Sequence, residues 1–426
     1  MESREGGEGG EGGKGGEGGE GGEGGEGGED GKVERDIDED VNEDTDEDTD
    51  EEVNVNDGSD ESLTEKGMNG KAWEEFCDLL KLAGNVVLRD ESPDAPLDRA
   101  EGFRYLGRLT RAALEGFVEF ADPLFPVLHR PVHETAKMGA DNPDNYYQNA
   151  TINGAHEYRL FGTRNTVHYL GLGTYAGNYG GGGRTGKTGY LEGKDIQVDE
   201  NGEFEVVLSC EPRPGNWLPM EPDTSSLIVR QTFLDRERER RAELTLERLG
   251  GDPKPAPLTP ERLAQGLDTA GRFVVGSASL FANWAEGFRE KVNTLPPFDT
   301  ETSLAALGDP NIFYYHSYWA LEEDEALVVE ATPPPCDYWN FQINNHWMES
   351  LDYRYHTVDY NKHTATLRDD GSVRLVVARH DPGVPNWLDT AGHDKGTMCF
   401  RWVRATHHPQ PQTSVVKLSE LAKEGR

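Results

Sequence analysis

The residues best suited to chemistry lie in one loop of the C-terminal half. Asp389 stands four residues before His393, within the segment NWLDTAGH at 386–393. A carboxylate at this spacing can orient an imidazole and raise its basicity, which general acid–base catalysis requires. We predict His393 as the acid–base residue and Asp389 as its orienting partner. His346 or Arg354 would then stabilise a developing oxyanion, in a proton-transfer or hydrolytic reaction.

Aromatic and polar residues near this loop are of the kind that line a small-molecule site. Concave apolar pockets with a few polar groups are the usual ligand sites of proteins. We therefore predict a site for an amphipathic or aromatic ligand in the second half of the chain, or at its junction with the first. The predicted ligand-binding residues are Asn344, Arg354, Tyr315, Trp347, Asn386 and Trp387, and Trp319 adds aromatic surface.

The main alternative is a binding or scaffold module without turnover. The segment Asn216-Trp217-Leu218 recurs as Asn386-Trp387-Leu388. A motif that occurs twice favours a structural role, because loop Asn side chains often bond nearby backbone groups. Arg230 and Arg401 stand at matching strand positions, where a structural ion pair competes with ligand binding.

A metal-dependent jelly-roll oxygenase is a third possibility. Eight of the twelve histidines lie beyond residue 310, and two His with a carboxylate can hold iron or manganese. The chain has no His-x-His pair, however, and His346 with Glu349 is only a fragment of a ligand set. The serine motif G-x-S-x-G is also absent. We therefore predict no metal ligand and no cofactor.

The segment Gly181–Thr188 matches the phosphate-loop pattern G-x-x-x-x-G-K-[ST]. Such a loop needs a helix that begins at the lysine and directs its amides at the phosphate. Gly189, Tyr190 and Gly193 follow Lys187 and make a poor first helical turn. The pattern therefore favours a glycine-rich hairpin loop.

Helical stretches precede and separate two strand-rich stretches. The first predicted helix carries an apolar stripe at i, i+3, i+4 and i+7, made of Trp73, Phe76, Cys77 and Leu80. A later helix is predicted to begin at Thr259-Pro260, with Thr259 as N-cap and proline in the first turn. Short alternating strands separated by Gly, Asn, Asp and Pro fill the two remaining stretches.

The two strand-rich stretches resemble one another. Five segments recur in the same order at offsets of 168 to 171 residues. They pair 146–147 with 314–315, 169–172 with 339–342, 204–208 with 373–377, 216–218 with 386–388, and 227–230 with 398–401. We infer a duplication. The predicted fold is mainly β with added helices, built from two jelly-roll-like antiparallel β-sandwich repeats.

The predicted organisation follows from these elements. It comprises a disordered Gly/Glu/Asp-rich tail over 1–70, a helical cap over 71–140, a first β-sandwich repeat over 141–250, a helical linker over 251–300, a second repeat over 301–410 and a C-terminal tail over 411–426.

Charge and composition limit the partners. The chain carries a net charge of −38, and residues 1–66 hold 27 acidic and 5 basic side chains, a net of −22. This leaves −16 for the remainder and argues against binding to nucleic acid. An acidic tail of this kind could recruit a basic protein partner. The chain has no apolar run long enough for a membrane span and no apolar segment after Met1 that would suit a signal peptide. Its four cysteines do not occur at paired spacings. We therefore expect a cytoplasmic protein.

Several segments resemble the bacterial domain-of-unknown-function family numbered 1214. The resemblance is carried by residues 144–147, 158–162, 216–218 and above all 385–393 (PNWLDTAGH), and it covers about residues 140–410. Relatives often carry a companion domain numbered 1254. The resemblance implies a tandem β-sandwich with helical additions, and it brings no activity, cofactor or catalytic set.

Removal of residues 1–66 is expected to leave the fold intact, because so polar a segment cannot bury enough apolar surface to offset the entropy of ordering it. The melting temperatures of the full and shortened chains provide the measurement. A large fall on removal would contradict the prediction.

Overall fold

The computed structural model describes residues 61–252 and 254–424. Within these residues, sixteen strands form four four-stranded sheets, which make up two sandwich-like pairs. The first half contains β1 (Asn145–Thr151), β2 (Tyr158–Thr163), β3 (Tyr169–Ala176), β4 (Gly186–Glu192), β5 (Glu203–Ser209), β6 (Trp217–Pro219), β7 (Thr224–Thr232) and β8 (Glu243–Arg248). The second half contains β9 (Ile312–Ala320), β10 (Glu325–Ala331), β11 (Tyr338–Ile343), β12 (Asp359–Asn361), β13 (Val373–Ala378), β14 (Trp387–Asp389), β15 (Lys395–Val403) and β16 (Gln412–Lys417).

The two halves have the same topology. The sheet β1-β7-β3-β4 corresponds to β9-β15-β11-β12, and the sheet β6-β5-β2-β8 corresponds to β14-β13-β10-β16. We call the first of each pair the inner sheet and the second the outer sheet. Each strand of the first half thus has its counterpart eight strands later, which confirms the duplication. The sandwiches are not wholly antiparallel, because β5 with β6 and β13 with β14 are parallel pairs.

The sequence alignment of the tyrosines is wrong by one residue. The β1–β7 ladder pairs Tyr147 with Arg230, and the β9–β15 ladder pairs Tyr314 with Arg401. Tyr147 therefore corresponds to Tyr314, whereas the sequence alignment placed Tyr146 there. Two adjacent tyrosines fit either register equally well, and only the ladder distinguishes them.

Tyr169 and Tyr338 are a second equivalent pair. Gly171 faces Arg230 across the β3–β7 ladder, and Asn340 faces Arg401 across β11–β15. Tyr169 and Tyr338 lie two positions before these residues, so they correspond as well. The match of Tyr169 with Trp339 in the sequence alignment is therefore also one residue out of register.

The described residues form the helices α1 (Leu63–Asn69), α2 (Lys71–Leu88), α3 (Pro96–Leu114), α4 (Pro260–Phe288), α5 (Thr300–Ala305) and α6 (Leu418–Glu424). A π-helical turn (Glu115–Glu119) extends α3, and a 3₁₀ turn (Arg289–Lys291) follows α4. The first four helices form one layer, not a cap and a separate linker. α1, α2 and α3 all pack against α4. Thr259 caps α4 as predicted, since its hydroxyl accepts from Arg262 N. In α2, Phe76 is buried but Trp73 is 58% exposed, so the buried stripe runs through Ala72, Phe76, Ala83 and Val87 instead.

Both predicted tails extend too far into the fold. α1 lies within the range 1–70 because Ser62 and Glu65 form a capping box that begins a helix. The range 411–426 contains β16, which pairs with β10, and α6, whose Leu421 is buried against that outer sheet. Removal of residues 1–66 would therefore cut into α1, and residue 60 is the better boundary. The rest of the acidic tail lies outside the described residues, and the prediction that it recruits a basic partner concerns that segment.

The inner sheets are buried on both faces. In β11, Trp339, Phe341 and Ile343 fill the core of the second sandwich. Asn340 and Gln342 point to the opposite face and are also fully buried. Helices and the other half of the chain cover this polar face, so its hydrogen bonds must be made there. None of the helices in the described part of the chain has both the length and the apolar composition that a membrane span requires.

The first half supplies partners to a tyrosine of the second half. Asn142-Pro143-Asp144 precedes β1, and Tyr338 lies at the start of β11. The Tyr338 hydroxyl donates to Asp144 Oδ2 at 2.7 Å. Asn142 Nδ2 donates to the same hydroxyl at 3.2 Å.

The second half returns the contact at the equivalent place. Asp309-Pro310-Asn311 precedes β9, and the Tyr169 hydroxyl donates to Asp309 Oδ2 at 3.0 Å. Asn311 Nδ2 donates to Tyr169 at 3.2 Å. The halves thus exchange the same type of contact, as the two sides of a two-fold interface do.

Tyr338→Phe is expected to lower the free energy of unfolding by about 1–3 kcal/mol, because a buried carboxylate at Asp144 loses a donor. Urea unfolding monitored by circular dichroism provides the measurement. Tyr355→Phe is the matched control, since Tyr355 is 78% exposed. Equal stability of the two variants would show that the exchanged contact contributes nothing.

Candidate functional site: a cavity between the two halves

A cavity of about 900 Å³ lies where the two halves meet. Its walls include one side of α4, the segment 138–142 and the faces of the two inner sheets that point away from their own sandwich cores. Exposed residues, among them Asn153, Arg262 and Gln265, stand at one end, and buried residues such as Phe281 and Arg401 stand at the other. The cavity therefore runs from the surface into the junction of the halves.

Strand alternation decides which side chains reach this cavity. In β7, Leu227 and Val229 point into the core of the first sandwich. Ser226, Ile228 and Arg230 therefore point the other way and line the cavity. By the same rule, β1 and β9 contribute Asn145, Tyr147, Asn149, Ile312, Tyr314 and His316.

Aromatic rings form the apolar wall. Phe281 and Trp284 of α4 meet edge to face with ring centroids 5.7 Å apart. Tyr179 lies 5.4 Å from Phe281, and Phe298 lies 4.9 Å from Trp284. Such a continuous set of rings offers a large apolar area with little side-chain entropy to lose on binding.

Arg230 presents a positive charge to the cavity. It is half-buried, and it donates to the Tyr175 hydroxyl at 2.9 Å and to the Leu307 carbonyl. No carboxylate lies within ion-pair distance of its guanidinium in the part of the chain that the structure describes. Although burial lowers its pKa, the surrounding tyrosines and Asp309 raise that pKa well above the usual value, so the group stays cationic.

Arg401 is the equivalent residue of the second half, and it is held more completely. It donates to Asn340 Oδ1 at 3.2 Å, to Gln342 Oε1 at 2.5 Å and to the Ala140 carbonyl. It is 4% exposed. The neighbouring strand explains the difference, because the positions of Asn340 and Gln342 are glycines in the first half, at Gly171 and Gly173.

His316 lies on the cavity wall beside a buried thiol. Its Nε2 is 3.8 Å from Cys399 Sγ. Burial and then the charge of Arg401 lower the pKa of His316 to about 3, and burial raises the pKa of Cys399 to about 11. Both groups are neutral at physiological pH, so they do not form the thiolate–imidazolium pair that nucleophilic catalysis by cysteine needs.

The predicted dyad of Asp389 and His393 does not form. His393 Nε2 lies 2.8 Å from Glu101 Oε2 of α3, and its Nδ1 lies 2.9 Å from the Thr390 carbonyl. Asp389 Oδ2 lies 2.7 Å from His356 Nδ1 instead. The loop turns between the two residues and sends their side chains to different partners. Neither residue lines the cavity.

The other predicted polar residues also lie away from the cavity. His346 is fully buried with Nδ1 3.1 Å from the Tyr318 hydroxyl, and burial followed by nearby Arg and Lys charges lowers its pKa to about 3. Asn344 accepts from Gln342 at 2.6 Å and donates to Thr397 at 3.2 Å. Arg354 lies at the surface in a bidentate pair with Asp352.

The predicted aromatic residues are core or turn residues. Tyr315 and Trp319 belong to the core of the second sandwich. Trp347 packs into the helical layer and donates to the Asp98 carbonyl at 2.9 Å. Trp387 is half-buried against the outer sheet and donates to the Ala378 carbonyl at 2.9 Å.

Asn386 holds a turn in the way Asn216 does. Asn386 Nδ2 donates to the carbonyls of Thr366 and Arg374, each at 2.8 Å. Asn216 Nδ2 donates to the carbonyls of Gln197 at 2.8 Å and Glu205 at 3.0 Å. The identical pattern explains why the motif occurs in both halves.

The phosphate-loop match is a glycine-rich connection between two strands. β4 begins at Gly186, so Lys187 is an exposed strand residue and no helix follows it. In residues 61–252 and 254–424, no three His, Cys, Asp or Glu side chains are grouped as metal ligands would be.

Comparison with known proteins places the chain in a family. A family model described as a protein of unknown function, DUF1214, matches residues 322–407. A crystal structure of an uncharacterized protein from Burkholderia cenocepacia is 52% identical, covers 83% of this chain and 99% of its own, and superposes with a TM-score of 0.82. The chain belongs to the DUF1214 family.

A crystal structure from Vibrio parahaemolyticus is 13% identical, covers 80% of this chain and 100% of its own, and has a TM-score of 0.44. No curated protein matches the chain.

The DUF1214 segment contains only part of the cavity wall. It runs from before β10 to just after β15, so it includes Arg401 but neither Arg230 nor Tyr314. The sequence places Arg230 and Arg401 at matching strand positions, but no local pattern groups them with His316. The repeat register would have aligned both arginine–tyrosine pairs, but nothing local in the sequence shows that α4 covers them.

The Glu101–His393 pair is expected to make stability depend on pH. Burial opposes both charges, but the hydrogen bond and opposite charge between the two lower the pKa of Glu101 and raise that of His393. Because the pKa of His393 is raised, this residue stabilises the fold at pH values below its unfolded-state pKa of about 6.5. That stabilisation is lost as the pH rises through the folded-state pKa. Because the pKa of Glu101 is lowered, this residue stabilises the fold at pH values above its unfolded-state pKa of about 4.3, and that stabilisation is lost as the pH falls through the folded-state pKa.

His393→Gln should therefore cost stability, on the order of 1–3 kcal/mol, between about pH 4.3 and 6.5, and less at higher pH. Urea unfolding over a pH series measures the difference from the unaltered chain. His380→Gln is the control, because that side chain is 65% exposed. A difference that does not change with pH would contradict the assignment of this ion pair.

Proposed function

We propose that the protein binds a small organic molecule with a large apolar part in the cavity between its halves. The observation that supports this is the cavity itself, which has a volume of about 900 Å³ and aromatic rings along its wall. Ligand sites of proteins usually measure about 300–1,000 Å³. The aromatic wall favours an amphipathic or aromatic ligand.

The energetics support the same proposal. Apolar side chains that face an unfilled space lose dispersion contacts on that side. A ligand that buries about 200 Å² of apolar surface would gain on the order of 5 kcal/mol at about 25 cal/mol per Å². Tyr147, Tyr314 and Arg230 can then orient its polar end.

Binding is favoured over turnover. His316 is the most deeply placed imidazole on the wall, and with a pKa of about 3 it is a weak base. The described side chains bring no facial set of two His and one carboxylate together either. A scaffold module without any ligand is the alternative, and it predicts that no compound of this class binds.

Ile228→Trp should abolish binding, because an indole at this position would occupy the cavity. Calorimetric titration with decan-1-ol and 2-naphthol, two neutral probes, measures the loss. Val415→Trp on β16 is the matched control, since Val415 is 41% exposed and distant from the cavity wall. Ser226→Phe is a second filling variant in case the larger ring overpacks the site.

The outcomes are distinct. Binding by the unaltered chain and by Val415→Trp, but by neither filled variant, supports the proposal. Absence of binding to the unaltered chain, together with no organic compound in a solvent extract of the purified protein by mass spectrometry, favours the scaffold. Equal binding by Ile228→Trp would place the ligand elsewhere.

A further inference from the structure

We propose that the ligand of this cavity is an organic carboxylate whose charged group binds the guanidinium of Arg230 and the phenol of Tyr314. The inference rests on the proposed function, because it assigns the chemical class of the molecule bound in the same cavity. It adds a preference for a negatively charged group, which neutral amphipathic molecules lack.

The fixed charges on the wall support an anion. Among the described residues, three arginines and two aspartates line the cavity. Arg262 pairs with Asp122 at 2.9 Å, at the exposed end. Asp141 accepts hydrogen bonds from the backbone and hydroxyl of Ser350, at 2.9 and 2.8 Å. The excess of arginine over aspartate on the wall lies at the junction of the halves, although the whole chain has a net charge of −38.

Arg230, not Arg401, has donors to spare. A guanidinium has five N–H donors in a planar fork. Arg230 uses one Nη1 hydrogen bond to Tyr175 and one Nη2 hydrogen bond to Leu307, and its half-buried side chain faces the cavity. Arg401 is enclosed by two carboxamides and a carbonyl. A carboxylate could therefore form a bidentate pair with Arg230.

The nearby carboxylate of the protein is already occupied. Asp309 acts electrostatically on Arg230 but lies outside ion-pair distance of it. Its oxygens accept from the hydroxyls of Tyr169 at 3.0 Å and Tyr190 at 2.9 Å. A partly buried guanidinium that lacks a directly paired anion is costly, and a bound carboxylate would offset that cost.

Tyr314 supplies a second donor on the opposite half. Its ring lies on the cavity wall, 5.5 Å from the His316 ring and 5.7 Å from the Arg401 guanidinium carbon. Burial raises the pKa of Tyr314 more than the two arginines lower it, so the phenol keeps its proton and can donate. A carboxylate between Arg230 and Tyr314 would thus join the two halves.

The neutral imidazole of His316 completes the polar lining without competing for the anion. Phe281 and Trp284 line the same cavity and can contact the apolar part of the ligand. The combination of polar and apolar groups therefore matches a carboxylate attached to a hydrocarbon or aromatic group.

The test compares decanoate with decan-1-ol, two probes of the same chain length, by calorimetric titration of the full chain at neutral pH. The unaltered protein should bind decanoate at least about ten-fold more tightly, as hydrogen bonds to a charged group imply. Arg230→Gln should weaken decanoate about 10–100-fold and leave decan-1-ol within about three-fold. Tyr314→Phe should weaken decanoate by a smaller factor, because one neutral donor is lost.

Arg159→Gln is the matched control, because Arg159 lies on the outer sheet in pairs with Glu205 and Glu247. It should bind both probes as the unaltered chain does. Arg230→Lys provides a second variant if the glutamine destabilises the fold, and its decanoate affinity should lie between those of the unaltered chain and Arg230→Gln.

Two failures can be told apart. If acid and alcohol bind equally and Arg230→Gln changes neither, the carboxylate inference is overturned while the proposed function stands. If neither probe binds and neither shifts the melting temperature, both are overturned.

Discussion

The polar faces of the two inner sheets can be buried only against each other and the helices. Asn340, Gln342 and Arg401 are nearly inaccessible, and an unpaired polar group in such a place costs on the order of 1–3 kcal/mol. Their partners include Asn142 and Ala140, which precede the first strand of the other half. Each sandwich has its own apolar core but not its own set of hydrogen-bond partners. The halves therefore form one folding unit, and the cavity occupies space that this polar junction leaves open.

Duplication supplied equivalent positions, and the neighbouring strand gave them different roles. Arg230 and Arg401 occupy the same place in the two inner sheets. Opposite Arg401 stand carboxamides that hold its guanidinium, whereas the corresponding residues of the first half are Gly171 and Gly173. The ring of Tyr175 lies close to Gly173, where a Cβ would contact it. These glycines leave the first arginine available at the cavity.

The sequence predicts the fold class and the doubling because both depend on local patterns. Strand alternation, turn residues and the repeated Asn-Trp-Leu can each be recognised from a few neighbouring residues, and in the structure they form strands and turns. The position of the site is not visible in this way. Asp389 and His393 are close in sequence but point to different partners, whereas Arg230 and Tyr314 line one cavity only because the two halves pack together. Residues that come together only in the folded chain form no recognisable short motif in the sequence.

The reciprocal Asx-Pro-Asx contacts have a consequence for how the molecule arose. A single half, associated with a second copy of itself about a two-fold axis, would make both contacts with one gene and one interface. Such an ancestral homodimer would have carried two identical arginines around a symmetric pocket. Fusion of the copies would remove the requirement that every substitution act twice. One arginine could then become part of the architecture while its twin kept donors that a bound molecule can use.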